Sequence, residues 1–111
     1  MNEYFPVDWA VIRYELNGKT EHKVFGGWRG GYLNGDYWRL NSGVSKVEDY
    51  DNYYHFHGYS GSVYHCRKGN YGITGIHNNG VLQQIVEAAK DIKAELLSED
   101  VDFASIITEQ D

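Results

Sequence analysis

Cysteine, cationic excess and long apolar runs are what this chain has least of. Its single cysteine, Cys66, has no internal disulfide partner, so a disulfide-stapled secreted scaffold is excluded. The apolar runs are short, far below the roughly 20 residues of a membrane-spanning helix. No leader-like apolar stretch follows Met1, and a cytoplasmic protein, made as it stands and without a membrane, is the expectation. Residues 1–80 carry eight acidic and eight basic side chains, a balance of zero. Direct nucleic-acid binding, which wants a basic field, is thereby disfavoured. Neither Cys-x-x-Cys nor His-Glu-x-x-His spacing occurs, and there is no fixed-period repeat. No cofactor is expected.

What is present is ordinary globular composition with two biases. Hydrophobic residues make up 41% and charged residues 23%, which argues against wholesale disorder. At 111 residues the chain suits a single domain, 1–111, burying roughly two thirds of its unfolded surface. Aromatics reach 15%, every tyrosine lies between Tyr4 and Tyr71, and all thirteen glycines lie between Gly18 and Gly80. The whole net charge of -6 falls beyond residue 80, where eight acids face only Lys90 and Lys93. The chain therefore divides into a β-rich, aromatic and Gly-rich part, 1–77, and an acidic helical part, 78–111.

Trp9 to Leu16 is rich in β-branched and aromatic residues, and Asn17-Gly18 suits the positive φ of a two-residue type I′ turn. Lys19 to Phe25 then returns, with Val11 opposite Val24 and Ala10 opposite Phe25. Gly26 to Gly31 reads as a loop presenting Trp28 and Arg29. Asn34-Gly35 suggests a second hairpin, joining Tyr32-Leu33 to Tyr37–Leu40. Val44 to Val47, Tyr53 to His57, Ser62 to Cys66 and Tyr71 to Ile76 read as further strands, with Glu48 to Asn52 a polar loop and Arg67 to Asn70 an exit turn. Leu82, Ile85, Ala89, Ile92 and Leu96 recur at helical spacing, predicting a helix from about Val81 to Leu97, capped by Asn78 or Asn79. Val101 to Ile107 forms a short final helix on this reading. The fold class is α+β: one antiparallel meandering sheet of about five or six strands, then a C-terminal helix packed on one face.

Chemistry concentrates between Tyr53 and Cys66, which hold three of five histidines, four of ten tyrosines and the thiol. His55 and His57 alternate on a strand and share one face. A five-residue loop, Gly58 to Ser62, sets His57 opposite Val63 and His55 opposite His65, a three-histidine face suited to zinc. A two-residue Ser60-Gly61 turn sets His55 opposite Cys66 instead, giving two histidines and a thiol. A one-residue slip exchanges these choices, and packing among tyrosines explains the histidines without metal. Cys66 is also a candidate nucleophile, with His65, Arg67 and Lys68 beside it in sequence; the commoner alternative is an inert buried thiol. Histidine-based phosphodiester cleavage with Lys68 is a further candidate.

The Gly26–Gly35 segment lacks the Gly-Lys-Ser/Thr ending of a phosphate loop and is not followed by a helix. Trp28 and Arg29 are instead candidate partner anchors, since such residues dominate interface hot spots. Aromatics beside cations, as at Trp38-Arg39, also suit a nucleotide pocket. Glu87, Asp91 and Glu95, spaced by four on the expected helix and extended by Glu99, make a candidate acidic docking stripe; a solvated outer face is the plainer alternative.

The stretch from Gly58 to Gly72, following Trp38 to Gly43, resembles small phage and prophage proteins. The resemblance carries no catalytic residue. It implies a counter-defence context, in which small acidic proteins of the anti-CRISPR kind block a host protein. The expected function is therefore a non-enzymatic inhibitor docking on a basic host protein surface through Glu87, Asp91, Glu95, Glu99, Trp28 and Arg29. A nucleotide-sequestering protein and a small His/Cys or metal-dependent hydrolase are the alternatives. The oligomeric state, a homodimer included, stays open.

Overall fold

In the computed structural model, residues 2–30 and 36–108 are described, Thr108 by its backbone alone. The expected Tyr32-Leu33 strand and Asn34-Gly35 turn lie outside the described residues.

The first hairpin forms as its turn chemistry dictates. Asn17 and Gly18 hold φ of 53° and 80°, so the chain reverses in two residues between β2, Asp8–Leu16, and β3, Lys19–Trp28. Leu16 opposite Lys19 fixes Val11 opposite Val24 and Ala10 opposite Phe25, the expected register. β3 runs on to Trp28, so Gly26 and Gly27 belong to the sheet and not to a loop. Gly27 permits this because a Cβ there would lie 2.4 Å from an Asp8 carboxylate oxygen. β4, Tyr37–Leu40, pairs with β3, and β8, Glu95–Leu96, pairs with β2, completing the sheet order β4-β3-β2-β8.

A second sheet replaces the single meander expected. After β4, Asn41 turns the chain: its backbone N–H donates to the Val24 carbonyl, and its side-chain oxygen accepts from the Val24 and Gly43 N–H groups. The next strand, β5 (Val44–Asp49), consequently joins β6 (Tyr53–Gly58) and β7 (Val63–Arg67) in a separate sheet. Its far edge is β1, Glu3–Tyr4, which pairs parallel to β7, an element too short to show in residue periodicity. β5 extends through Glu48 and Asp49, which sequence placed in a loop. Tyr71 contributes an isolated bridge to Trp9 instead of starting a strand. Its hydroxyl accepts from the Val11 N–H and donates to the Leu97 carbonyl, holding it across the sheet.

The helical segment also breaks earlier than the apolar spacing predicts. α1, Ile76–Ala88, starts at Gly75, so Asn78 lies inside it, buried and donating to the Tyr37 carbonyl. A 3-10 turn at Lys90–Ile92 and left-handed Lys93 follow, and Glu95–Leu96 is captured as β8 by the edge of β2. A backbone ladder on an open sheet edge and burial of Leu97 outweigh two more turns of helix, an override of local propensity. α2, Phe103–Thr108, is the short final helix expected.

Strand alternation decides what each sheet face buries. Trp9, Val11 and Val24 on one face of the β4-β3-β2-β8 sheet meet Phe56, Tyr64, Cys66, Phe103 and Ile107. Ala10, Ile12 and Phe25 on its other face meet Leu82 of α1. Trp9 is the hub: its ring contacts Tyr54, Phe56, Tyr71 and Phe103, and its indole N–H donates to the Arg67 carbonyl at 2.6 Å. Among the described residues no helix is long and apolar enough to cross a membrane.

Candidate functional site

The β6–β7 hairpin adopts the five-residue-loop register, with His57 opposite Val63 and His55 opposite His65. The alternative register, with Cys66 opposite His55, is therefore excluded. Because strand neighbours alternate, Tyr54, Phe56, Tyr64 and Cys66 point into the core and the three histidines share the outer face. Cys66 is fully buried opposite Tyr54, and burial pushes its thiol well above the ordinary value. It has neither the exposure nor the positive surroundings that make a nucleophile. The same burial pushes the Tyr64 hydroxyl up to about 12.

The histidines are partnered one by one. His57 Nε2 is 2.7 Å from Glu48 Oε1, and His65 Nε2 is 2.7 Å from Glu3 Oε1. The His57 hydrogen bond holds the Glu48 carboxyl below its ordinary range. His55 lies between aromatic rings: Tyr50 at 4.5 Å, His65 edge-on at 4.2 Å and Tyr53 at 6.5 Å between centroids. Burial, then the charge on His65, pushes its pKa down, so it is neutral at pH 7. Among the described residues no three His, Cys, Asp or Glu side chains come together as a metal site.

Phe5 completes this face. Its ring stacks on His65 at 4.4 Å and 7°, yet the residue is 63% exposed. It walls a shallow pocket of about 170 Å³ with Tyr53, His55 and His65. Its other side borders a concavity of about 360 Å³ lined by Glu3, Tyr4, Trp28, Tyr37 and Arg39. There Trp28 stacks on Tyr37 at 5.4 Å and 3°, donating its indole N–H to the Phe5 carbonyl, and Arg39 sits 4.5 Å over Tyr4. Sequence reasoning missed Phe5. Its signal, an aromatic pair beside the lone proline at Tyr4-Phe5-Pro6, has no periodicity to mark it.

The other expected anchors are scattered. Arg29 bonds the Thr74 hydroxyl and lies 3.6 Å from Asp8 and 3.8 Å from Asp36, tying the end of β3 to the start of α1 rather than presenting itself at a loop tip. Glu87 is on α1, Asp91 in the 3-10 turn, Glu95 on β8 and Glu99 beyond it, so no helical stripe joins them. Glu87 pairs with Lys90 at 2.8 Å and Glu95 with Arg13 at 2.5 Å.

Fold and face together define a two-sheet α+β protein bearing an aromatic, histidine-rich outer surface. Comparisons with protein-family models, curated proteins and solved structures return no match.

Proposed function

We propose that this is a non-enzymatic binding protein that docks on a partner protein through the aromatic face around Phe5. The observation that carries this reading is Phe5 itself, an exposed ring held by His65 and shared by two adjoining concavities. Pre-ordered aromatic rings bury much area on contact while losing little side-chain entropy, which is why they dominate hot spots. Glu3 and Glu48, partly exposed beside the rings, suit a basic partner surface. On the phage resemblance, that partner is a host defence protein, blocked in the manner of an anti-CRISPR.

Affinity capture from bacterial lysate, followed by titration of the recovered partner, tests the proposal. Phe5→Ala and Tyr53→Ala are expected to weaken binding by about tenfold or more each. The triple reversal Glu87→Lys, Asp91→Lys, Glu95→Lys is expected to change it by less than about threefold. The reverse pattern would move the docking surface to the acidic C-terminal segment, with Glu99 beside it.

A nucleotide-binding reading has one observation in its favour: the larger concavity combines aromatic walls with Arg39, whose guanidinium has no carboxylate partner among the described residues. A flat thermal-shift response to millimolar nucleotides removes it.

A further inference from the structure

The β4-β3-β2-β8 sheet carries a cavity on its α1-facing side. It measures about 380 Å³ and is walled by Ile12, Leu16, Leu40, Ile85, Ala89 and Ile92. It exists because α1 stops at Ala88: the 3-10 turn swings the chain toward the β2 edge before the helix has covered the sheet. Small side chains at Ala89 and Ala94 leave the space open.

Three polar residues, Lys23, Tyr14 and Ser42, line the cavity beside these apolar walls. Lys23 stands opposite Ile12 on the α1 side of the sheet and has no ion pair among the described residues. Glu21, two residues earlier on the same face, is occupied by the Tyr59 hydroxyl, which donates to it at 2.8 Å. Lys93, near the same edge, lies 3.6 Å from Glu15. Among the described residues, Lys23 is thus the one cation lining this cavity. Burial, reinforced by the Glu21 charge, pushes the Tyr14 pKa up, so its hydroxyl keeps a proton to donate.

We propose that this cavity binds a small amphipathic carboxylate, its hydrocarbon part between the sheet and α1 and its carboxylate on Lys23 and the Tyr14 hydroxyl. The volume lies at the low end for small-molecule sites and suits a chain of about eight carbons. Apolar walls bind the chain, and the ammonium of the partly buried Lys23 selects the anion over a neutral or cationic head group. This site is independent of the Phe5 face: it lies on the β4-β3-β2-β8 sheet, and the Phe5 face belongs to the β1-β7-β6-β5 sheet.

Octanoate, octanol and octylammonium, each titrated calorimetrically into the full chain, test the proposal. Octanoate is expected to bind at least about tenfold more tightly than octanol, as one charge-assisted hydrogen bond implies, with octylammonium weakest. Lys23→Met, with its apolar stem kept, is expected to remove that preference while retaining octanol binding. Ala89→Leu, which fills the cavity, is expected to abolish binding of all three; circular dichroism checks that both variants remain folded. Equal affinity for the three ligands, no heat with any of them, or octanoate binding unchanged in folded Lys23→Met would each overturn it.

Discussion

Single residues show where burial and polarity collide. His22 is 2% exposed and its Nε2 has no hydrogen-bond partner among the described residues, while burial and the charge of Arg13 push its pKa below the ordinary 6.5. His55 is depressed in the same direction. Well above pH 6.5 both histidines are neutral folded or unfolded and exert no pH effect. As pH falls below that value, the unfolded chain takes protons that the folded chain refuses, so stability falls, levelling once pH passes below the folded pKa values. His22→Leu is expected to flatten part of this acid loss and, by removing an orphan polar atom, to be neutral or stabilising at pH 7. Urea titrations at pH 5.5 and 7.5 measure both effects; an unchanged pH difference in the variant would refute the assignment to His22. His55 and His57 were legible as one face from the His-x-His alternation, while His65 joined them only through a register that the sequence left open. The burial of His22 was not, because it depends on what the other sheet places above it.

Elements carry the second lesson. The β2–β3 hairpin was readable to the residue, since a two-residue turn and a period of two leave one register. The helix was readable as an element but at neither boundary: it starts at Ile76, before the Asn78 or Asn79 cap expected, and ends at Ala88. Its apolar spacing continues past Ala88, and only the open edge of β2 recruits Glu95–Leu96 into the sheet. α2 is six residues long, too short to stand alone, and it is held by packing. Phe103, 1% exposed, touches Trp9, Tyr54, Phe56 and Tyr71. Phe103→Ala is expected to cost about 3–5 kcal/mol. A chemical denaturation loss under about 1 kcal/mol would show that α2 is not part of the cooperative core.

At the scale of the molecule, the two faces of the β4-β3-β2-β8 sheet have different duties. One is closed by the β1-β7-β6-β5 sheet and α2 around Trp9; the other is covered by α1 and left open beyond Ala88. The charged segment after residue 80 is tied back to the fold through Arg13–Glu95 and Lys93–Glu15, while Lys90–Glu87 pairs within the segment. These pairs are exposed and each contributes about 0–1 kcal/mol, so they orient the segment more than they stabilise it. Phe5, by contrast, has exposed area with little structural duty. Phe5→Ala is expected to leave stability within about 0.5 kcal/mol of the parent while weakening partner binding. A large loss of melting temperature would make Phe5 a structural residue instead.

Sequence alone determined the α+β class, the first hairpin and its register, the shared face of His55 and His57, and a short final helix. Each follows from turn chemistry or periodicity acting within one element. The tertiary structure alone decided that there are two sheets, that Cys66 faces inward, that the acidic residues fall on four separate segments, and that Phe5 stands beside His65. These depend on contacts between residues far apart in the chain, where burial and ladder hydrogen bonds outweigh local preference.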